Sequence, residues 1–275
     1  MTSGLEATLR SHRAVTLALL VALTLLAWVW LLTGAGMSMD PWVPLPTNAI
    51  AEHPMDGMAM EPARTGSAGS IALTLSMWWT MMVAMMLPSA VPVILLYAKT
   101  ARRPDSTTRP ATGTFLLGYL AAWGVFSLLA TALQLLLDRV KLLGPEAMAS
   151  ASPGLSIMVL FAAGLYQVTP LKDACLRNCR NPAVFLSRYF RPGTRGAFRM
   201  GILHGTFCVG CCWLLMMLLF VVGVMNLVWI AVLTIVVASE KLLPGGHWIR
   251  LGTGLALVGW ALLMAFQYVS FGLRA

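Results

Sequence analysis

Charge is scarce in this chain. Only 11% of its 275 residues are Asp, Glu, Lys or Arg, just 10 of them acidic, while 59% are hydrophobic. So little charge excludes an ordinary soluble globular domain and implies an all-α, polytopic membrane protein. Several catalytic signatures are also missing. No Gly-x-Ser-x-Gly elbow, Walker loop, dinucleotide fingerprint or zincin His-Glu-x-x-His occurs, which excludes an ATP-driven pump for this chain alone. Cysteine is limited to five residues, an odd number, and none falls in the segments assigned below to the outer side. A secreted disulfide framework is therefore excluded, and the thiols belong to the membrane or the cytosol. What charge there is leans positive, with 19 Lys and Arg and a formal net charge of +9. In a membrane protein this excess follows from the retention of basic residues on the cytoplasmic side, so no nucleic-acid partner is implied.

The apolar runs are long. Arg10, His12 and Arg13 precede a run from Ala14 to Leu32, too long for a signal-peptide core and without an obvious cleavage site, so residues 1–32 read as an uncleaved first span. Residues 33–70 are rich in Pro, Gly, Ala and Met and form a flexible outer loop. Residues 71–275 form a six-helix membrane domain, with spans expected at 71–98, 113–137, 153–170, 200–223, 225–239 and 247–271. The longer ones suffice for a bilayer core of roughly 30 Å. The tight connection from Gly223 to Asn226 predicts an antiparallel hairpin of the fifth and sixth spans. About seven spans place the termini on opposite sides. With the N-terminus cytoplasmic and the C-terminus outside, 15 of the 19 Lys and Arg lie inside, which fixes the orientation. The expected location is a bacterial inner membrane, with the lipid bilayer as the first partner and an oligomer compatible with the sequence.

One stretch concentrates the chemistry. In His204-Gly-Thr-Phe-Cys208-Val-Gly-Cys211-Cys212 an imidazole and three thiols sit inside an apolar helix. At 100° per residue, Cys208 lies about 40°, Cys211 about 20° and Cys212 about 80° from His204, so the first three share a narrow face and Cys212 points off it. A single cysteine in a membrane helix is ordinarily a small packing residue and a lone His can be a satisfied bundle residue. Four such groups in one stretch, at a depth where polar groups are costly, point instead to a task. Thiolate and imidazole together suit copper(I) and, second, zinc.

Further ligand types surround that stretch. Cys175 and Cys179 are one helical turn apart at the cytoplasmic boundary if their segment is helical. Lys172, Arg177 and Arg180 nearby either favour their thiolates or anchor to anionic lipid heads. Met77, Met81 and Met85 form one i, i+4, i+8 stripe and Met82 with Met86 a second; such methionines are either gap fillers or soft thioether ligands. In the outer loop, His53, Met55, Met58 and Met60 with Asp56 have the composition of a weak collector of soft ions, or of a Met-rich linker without ligands. Glu240-Lys241 reads as a structural ion pair or as a proton or ligand group, and His247 as an interface cap.

Three blocks carry a resemblance: Met77-Trp-Trp-Thr-Met-Met-Val-Ala-Met-Met-Leu-Pro88, then Tyr166-Gln-Val-Thr-Pro170-Leu-Lys172 with Cys175 and Cys179, then His204 through Trp213 with Met216 and Glu240-Lys241. Over residues 70–271 the chain resembles a bacterial integral-membrane family catalogued as domain of unknown function 2182 and described as predicted metal-binding. The resemblance implies a membrane fold and an association with metal, and no established reaction. The leading expectation is a non-enzymatic metal-handling protein that binds or passes copper(I) through the Met, His and Cys residues named above, in transport or in delivery to a metal chaperone or metalloenzyme partner. The alternatives are a transmembrane thiol–disulfide electron carrier and an accessory subunit of a larger membrane complex.

Overall fold

The structure is a computed structural model that describes residues 2–34, 68–100, 111–143, 150 and 152–272. Among the described residues the fold is all helical, and the only extended pairing is one isolated bridge between Leu143 and Ser150. The helices are α1 (Thr2–Leu32), α2 (Ala68–Thr100), α3 (Thr112–Arg139), α4 (Pro153–Gln167), α5 (Pro170–Arg180), α6 (Pro182–Tyr189), α7 (Gly193–Met217), α8 (Leu219–Val222), α9 (Leu227–Leu242) and α10 (Gly246–Gly272).

Among the described residues, five stretches are long and apolar enough to cross a membrane: Ala14–Leu32, Ala68–Thr100, Thr112–Arg139, Gly193–Val222 and Gly246–Ser270. The pair α4 and α5 makes a sixth if the two helices, bent by 63° at a short break, count as one crossing. The bend is written locally. Thr169 caps α5 by accepting the Lys172 N–H at 3.3 Å, and Pro170 occupies its first turn, where a missing N–H costs nothing. Helix α9, the expected sixth span, has 16 residues, about 24 Å at 1.5 Å per residue. Large apolar side chains on the outside of the bundle stay exposed, among them Leu26, Leu129, Ile235, Leu263 and Phe266. A surface of this kind is stable against hydrocarbon and a liability in water.

Small residues set how closely the central helices meet. Helices α3 and α7 form the most extensive contact of the bundle. Gly118 abuts the backbone at Phe198, Gly201 abuts the backbone at Phe115, and a Cβ on Gly205 would stand 2.6 Å from that of Ala122. Helix α10 approaches α4 in the same way, since a Cβ on Gly164 would lie 2.9 Å from the Gly254 carbonyl oxygen. Such small-residue faces are how membrane helices gain packing without a hydrophobic drive between them.

The turn after α8 uses Gly223 at φ 102°, a conformation that excludes most side chains. Asn226 then starts α9 by accepting from the N–H groups of Val228 (3.1 Å) and Trp229 (3.3 Å). The tight connection expected from the sequence is therefore present, but the hairpin packing is slight. Helix α9 leans chiefly on α2 and α10 and touches α7 less. A short turn fixes only where α9 begins; its direction follows the buried face that α2 offers.

Candidate metal centre

Helix α7 turns a broad face inward. His204, Gly205, Cys208, Cys211, Cys212, Leu215 and Met216 are all buried, so all three thiols of the stretch point into the bundle, Cys212 included. The narrow face drawn from Cys208 and Cys211 is too strict, because α3 and α5 both pack on α7 and Cys212 is as buried as the other two thiols. The Sγ atoms of Cys211 and Cys212 both donate to the Cys208 carbonyl oxygen, at 3.1 and 3.0 Å. Such bonds to the preceding turn hold buried thiols in fixed rotamers.

The other elements bring partners to this face. From α3, the Tyr119 hydroxyl lies 3.2 Å from Cys208 Sγ and 3.1 Å from the Met86 carbonyl oxygen, to which it donates. From α2, Met86 Sδ lies 3.9 Å from Cys212 Sγ. From α9, Lys241 Nζ donates to Cys208 Sγ at 3.0 Å and reaches Ser89 Oγ at 3.4 Å and Met86 Sδ at 3.9 Å. From α5, the Cys179 side chain contacts Cys208 and Cys211. Cys175 presses on α7 one turn away, where a Cβ on Gly210 would come within 2.9 Å of its Sγ. The Gly210 carbonyl oxygen there accepts a hydrogen bond from the Tyr166 hydroxyl.

The result is a sulfur cluster of Cys179, Cys208, Cys211 and Cys212 with the Met86 thioether, set beside an ammonium and a phenol. His204 lies one helical turn below Cys208. Its ring is boxed by Phe185, Tyr119 and Phe115 at centroid distances of 5.0, 5.9 and 6.3 Å, and its buried Nδ1 has no hydrogen-bond partner. A buried imidazole nitrogen without a partner is uncommon and is available to a ligand. Among the described residues, no three His, Cys, Asp or Glu already converge as a metal cage. Cys211 and Cys212 are bonded to the Cys208 carbonyl oxygen, so binding a metal through them requires them to lose their protons and turn. The donor set itself fits a soft ion: thiolates and a thioether select copper(I), and an imidazole suits it as well.

A second polar cluster lies on the far side of α9. Lys172 Nζ and Glu240 Oε2 are 2.6 Å apart, with both side chains buried. Gln167 donates from Nε2 to Glu240 Oε1 at 2.9 Å and accepts from Lys172 through Oε1. The sequence offers Glu240 and Lys241 as a mutual pair, but adjacent residues on a helix point about 100° apart. Glu240 therefore turns to Lys172 and Lys241 to the thiols. Lys172 is fully buried and does not anchor lipid heads. Arg177 is exposed and paired with Asp173 at 2.7 Å, and Arg180 is half-buried and donates to the carbonyl oxygens of Leu243 and Pro244. These two arginines, Asn181 and Lys241 line a polar pocket of about 290 Å³, so the same lysine lies at the pocket wall and at the sulfur cluster.

The residues named from sequence divide accordingly. His204, Cys208, Cys211, Cys212 and Cys179 come together, with Cys175 alongside. Met77, Met81 and Met85 are buried in the core, while the methionine in contact with a thiol is Met86, from the second stripe. His53, Met55, Met58 and Met60 lie outside the described residues. Tyr119 is the site residue for which the sequence offers no reading; Met86 belongs to the second methionine stripe and Gln167 to the Tyr166–Lys172 block, and neither is singled out there as a site residue. The two methionine stripes cannot be ranked without the rotation of α2, and a tyrosine in an apolar helix gives no signal of its own. Helix α9 did carry a signal: an acid and a base in succession in an apolar helix require two separate partners.

In comparison with protein families, the model PpoB2, described as a copper chaperone, matches residues 75–264. No curated protein and no solved structure matches the chain.

Proposed function

From the premise that the chain belongs to the PpoB2 copper chaperone family, we propose that it is an integral membrane protein that holds copper(I) as cargo in its sulfur cluster and hands it to a copper-requiring partner. The observation that carries this reading is that four thiols and a thioether from α2, α5 and α7 adjoin one another, beside a buried His204 whose Nδ1 has no partner. Cys179, Cys208, Cys211 and Cys212 supply the thiols, two of which bind the ion as thiolates at any one time, Met86 and His204 supply neutral donors, and Cys175 lies one turn away as a transfer ligand. Thiols that adjoin in this way can exchange an ion by associative steps, each new sulfur binding before the old one leaves.

The pocket walled by Arg177, Arg180, Asn181 and Lys241 offers the route by which the ion reaches or leaves the cluster. In the bilayer the chain makes about seven crossings, counting the bent α4–α5 pair and α9, with the N-terminus cytoplasmic and the C-terminus outside. This orientation puts the pocket on the cytoplasmic side. On the opposite side, the loop bearing His53, Met55, Met58 and Met60 serves as a weak collector or delivery arm, and Met77, Met81 and Met85 line the buried stretch between.

The adjoining thiols would also suit a thiol–disulfide carrier, but the Met86 thioether at the cluster and the family membership favour copper. The test is metal content. Purified full-length protein binds copper(I), and changing both Cys208 and Cys211 to Ser abolishes the binding. Copper and zinc content unchanged in that variant refutes the proposal.

A further inference from the structure

A metal-binding reading leaves Lys241 without a task. Its side chain is 5% exposed, and its ammonium faces Cys208, Ser89 and Met86. A cation enclosed in an apolar bundle is costly unless a negative charge faces it. The neighbouring Glu240 carboxylate does not supply that charge, because Lys172 and Gln167 hold it on the other side of α9. Among the described residues no carboxylate pairs with Lys241. The compensating charge has to come from sulfur.

We propose that Lys241 is the specificity-determining residue of the centre: a fixed positive charge that makes the thiol cluster favour a monovalent soft cation over a divalent one. The inference rests on the copper reading above. Copper(I) with two thiolates carries a net charge of −1, which one ammonium neutralises. A divalent ion with two thiolates is already neutral and leaves the ammonium unbalanced. It reaches neutrality beside Lys241 only by drawing a third buried thiol into the thiolate form. The lysine also repels the ion directly, twice as strongly for a divalent as for a monovalent cation at the same place. Cysteine sites without such a charge bind zinc well, so softness of the ligands is not sufficient and the adjacent cation supplies the remaining discrimination.

The experiment uses the full chain in detergent micelles under reducing, oxygen-free conditions. Copper(I) affinity is measured by competition with a chromophoric copper(I) chelator and zinc(II) affinity with a fluorescent zinc chelator. In Lys241→Met and Lys241→Gln the ratio of copper(I) to zinc(II) affinity falls by about tenfold or more, while Lys241→Arg keeps it close to wild type. Gln can still hydrogen-bond to Ser89, which guards against mere loss of fold. On the wild-type protein, silver(I) displaces bound copper(I) and cadmium(II) at the same concentration does not. A structural role for Lys241 would weaken both metals together. A ratio unchanged in both neutral variants, a ratio lost equally in Lys241→Arg, or displacement by cadmium(II) overturns the inference and leaves the copper reading standing. A wild-type protein that binds no copper(I) overturns both.

Discussion

Replacing Glu240 by Gln leaves the shape of the buried cluster nearly unchanged and removes one charge. At the observed separation of 2.6 Å, the direct attraction between Lys172 and Glu240 is about 6 kcal/mol at an effective dielectric of about 20. Much of that is offset by the cost of taking both groups out of water or headgroup solvent, so the pair is worth less than its attraction. Removing one partner is a different matter, because an uncompensated ammonium is then buried, at a cost of about 3–5 kcal/mol. Gln167 still accepts from Lys172, which places the expected loss near the lower end, about 3 kcal/mol. For a protein of this size that corresponds to a drop in melting temperature of about 6–12 °C. The assay is thermal unfolding in micelles, followed by tryptophan fluorescence. Lys172→Met produces a comparable loss by stranding the carboxylate. The double variant Lys172→Met/Glu240→Leu costs clearly less than the sum of the single changes, because no buried charge remains. Unfolding of Glu240→Gln within about 2 °C of wild type would refute the account, since it would mean that the pair is hydrated or Lys172 neutral.

Two further outcomes follow from the packing and the topology. Gly201→Ala forces a methyl group into the backbone of α3 at Phe115, where nothing flexible can yield, and lowers stability by about 1–3 kcal/mol or more; Gly252→Ala in α10, which meets open space, is neutral or stabilises by up to about 1 kcal/mol, and equal melting temperatures for the two variants contradict the close α3–α7 approach. A reporter enzyme that is active only outside the cytoplasm, fused after Ala275, is active in the proposed orientation, while the same reporter fused within the segment after Thr100 is silent; the reverse pattern inverts the topology.

Much of the architecture follows from composition and pattern. Long apolar runs in a chain with 11% charged residues have to become helices that cover their own backbone polar groups. The Thr169-Pro170 start of α5 and the Gly223 and Asn226 turn are likewise local chemistry, settled by capping and backbone freedom. The concentration of His204, Cys208, Cys211 and Cys212 needs only helical periodicity to be seen, and the one-turn spacing of Cys175 and Cys179 becomes a shared face once their segment is helical. None of this identifies neighbours. Which methionine stripe meets the thiols depends on the rotation of α2 about its axis, set by packing against α1, α3 and α9 together. Whether Cys212 belongs to the cluster depends on how much of α7 is enclosed. Short-range periodicity makes the long apolar helices and the inventory of soft ligands legible in the sequence, whereas α5, α6 and α8 and the bend between α4 and α5 are not. Only the tertiary structure decided that Glu240 pairs with Lys172 across the bundle while Lys241 faces Cys208, because two adjacent side chains on one helix point apart and their partners come from segments distant in the chain.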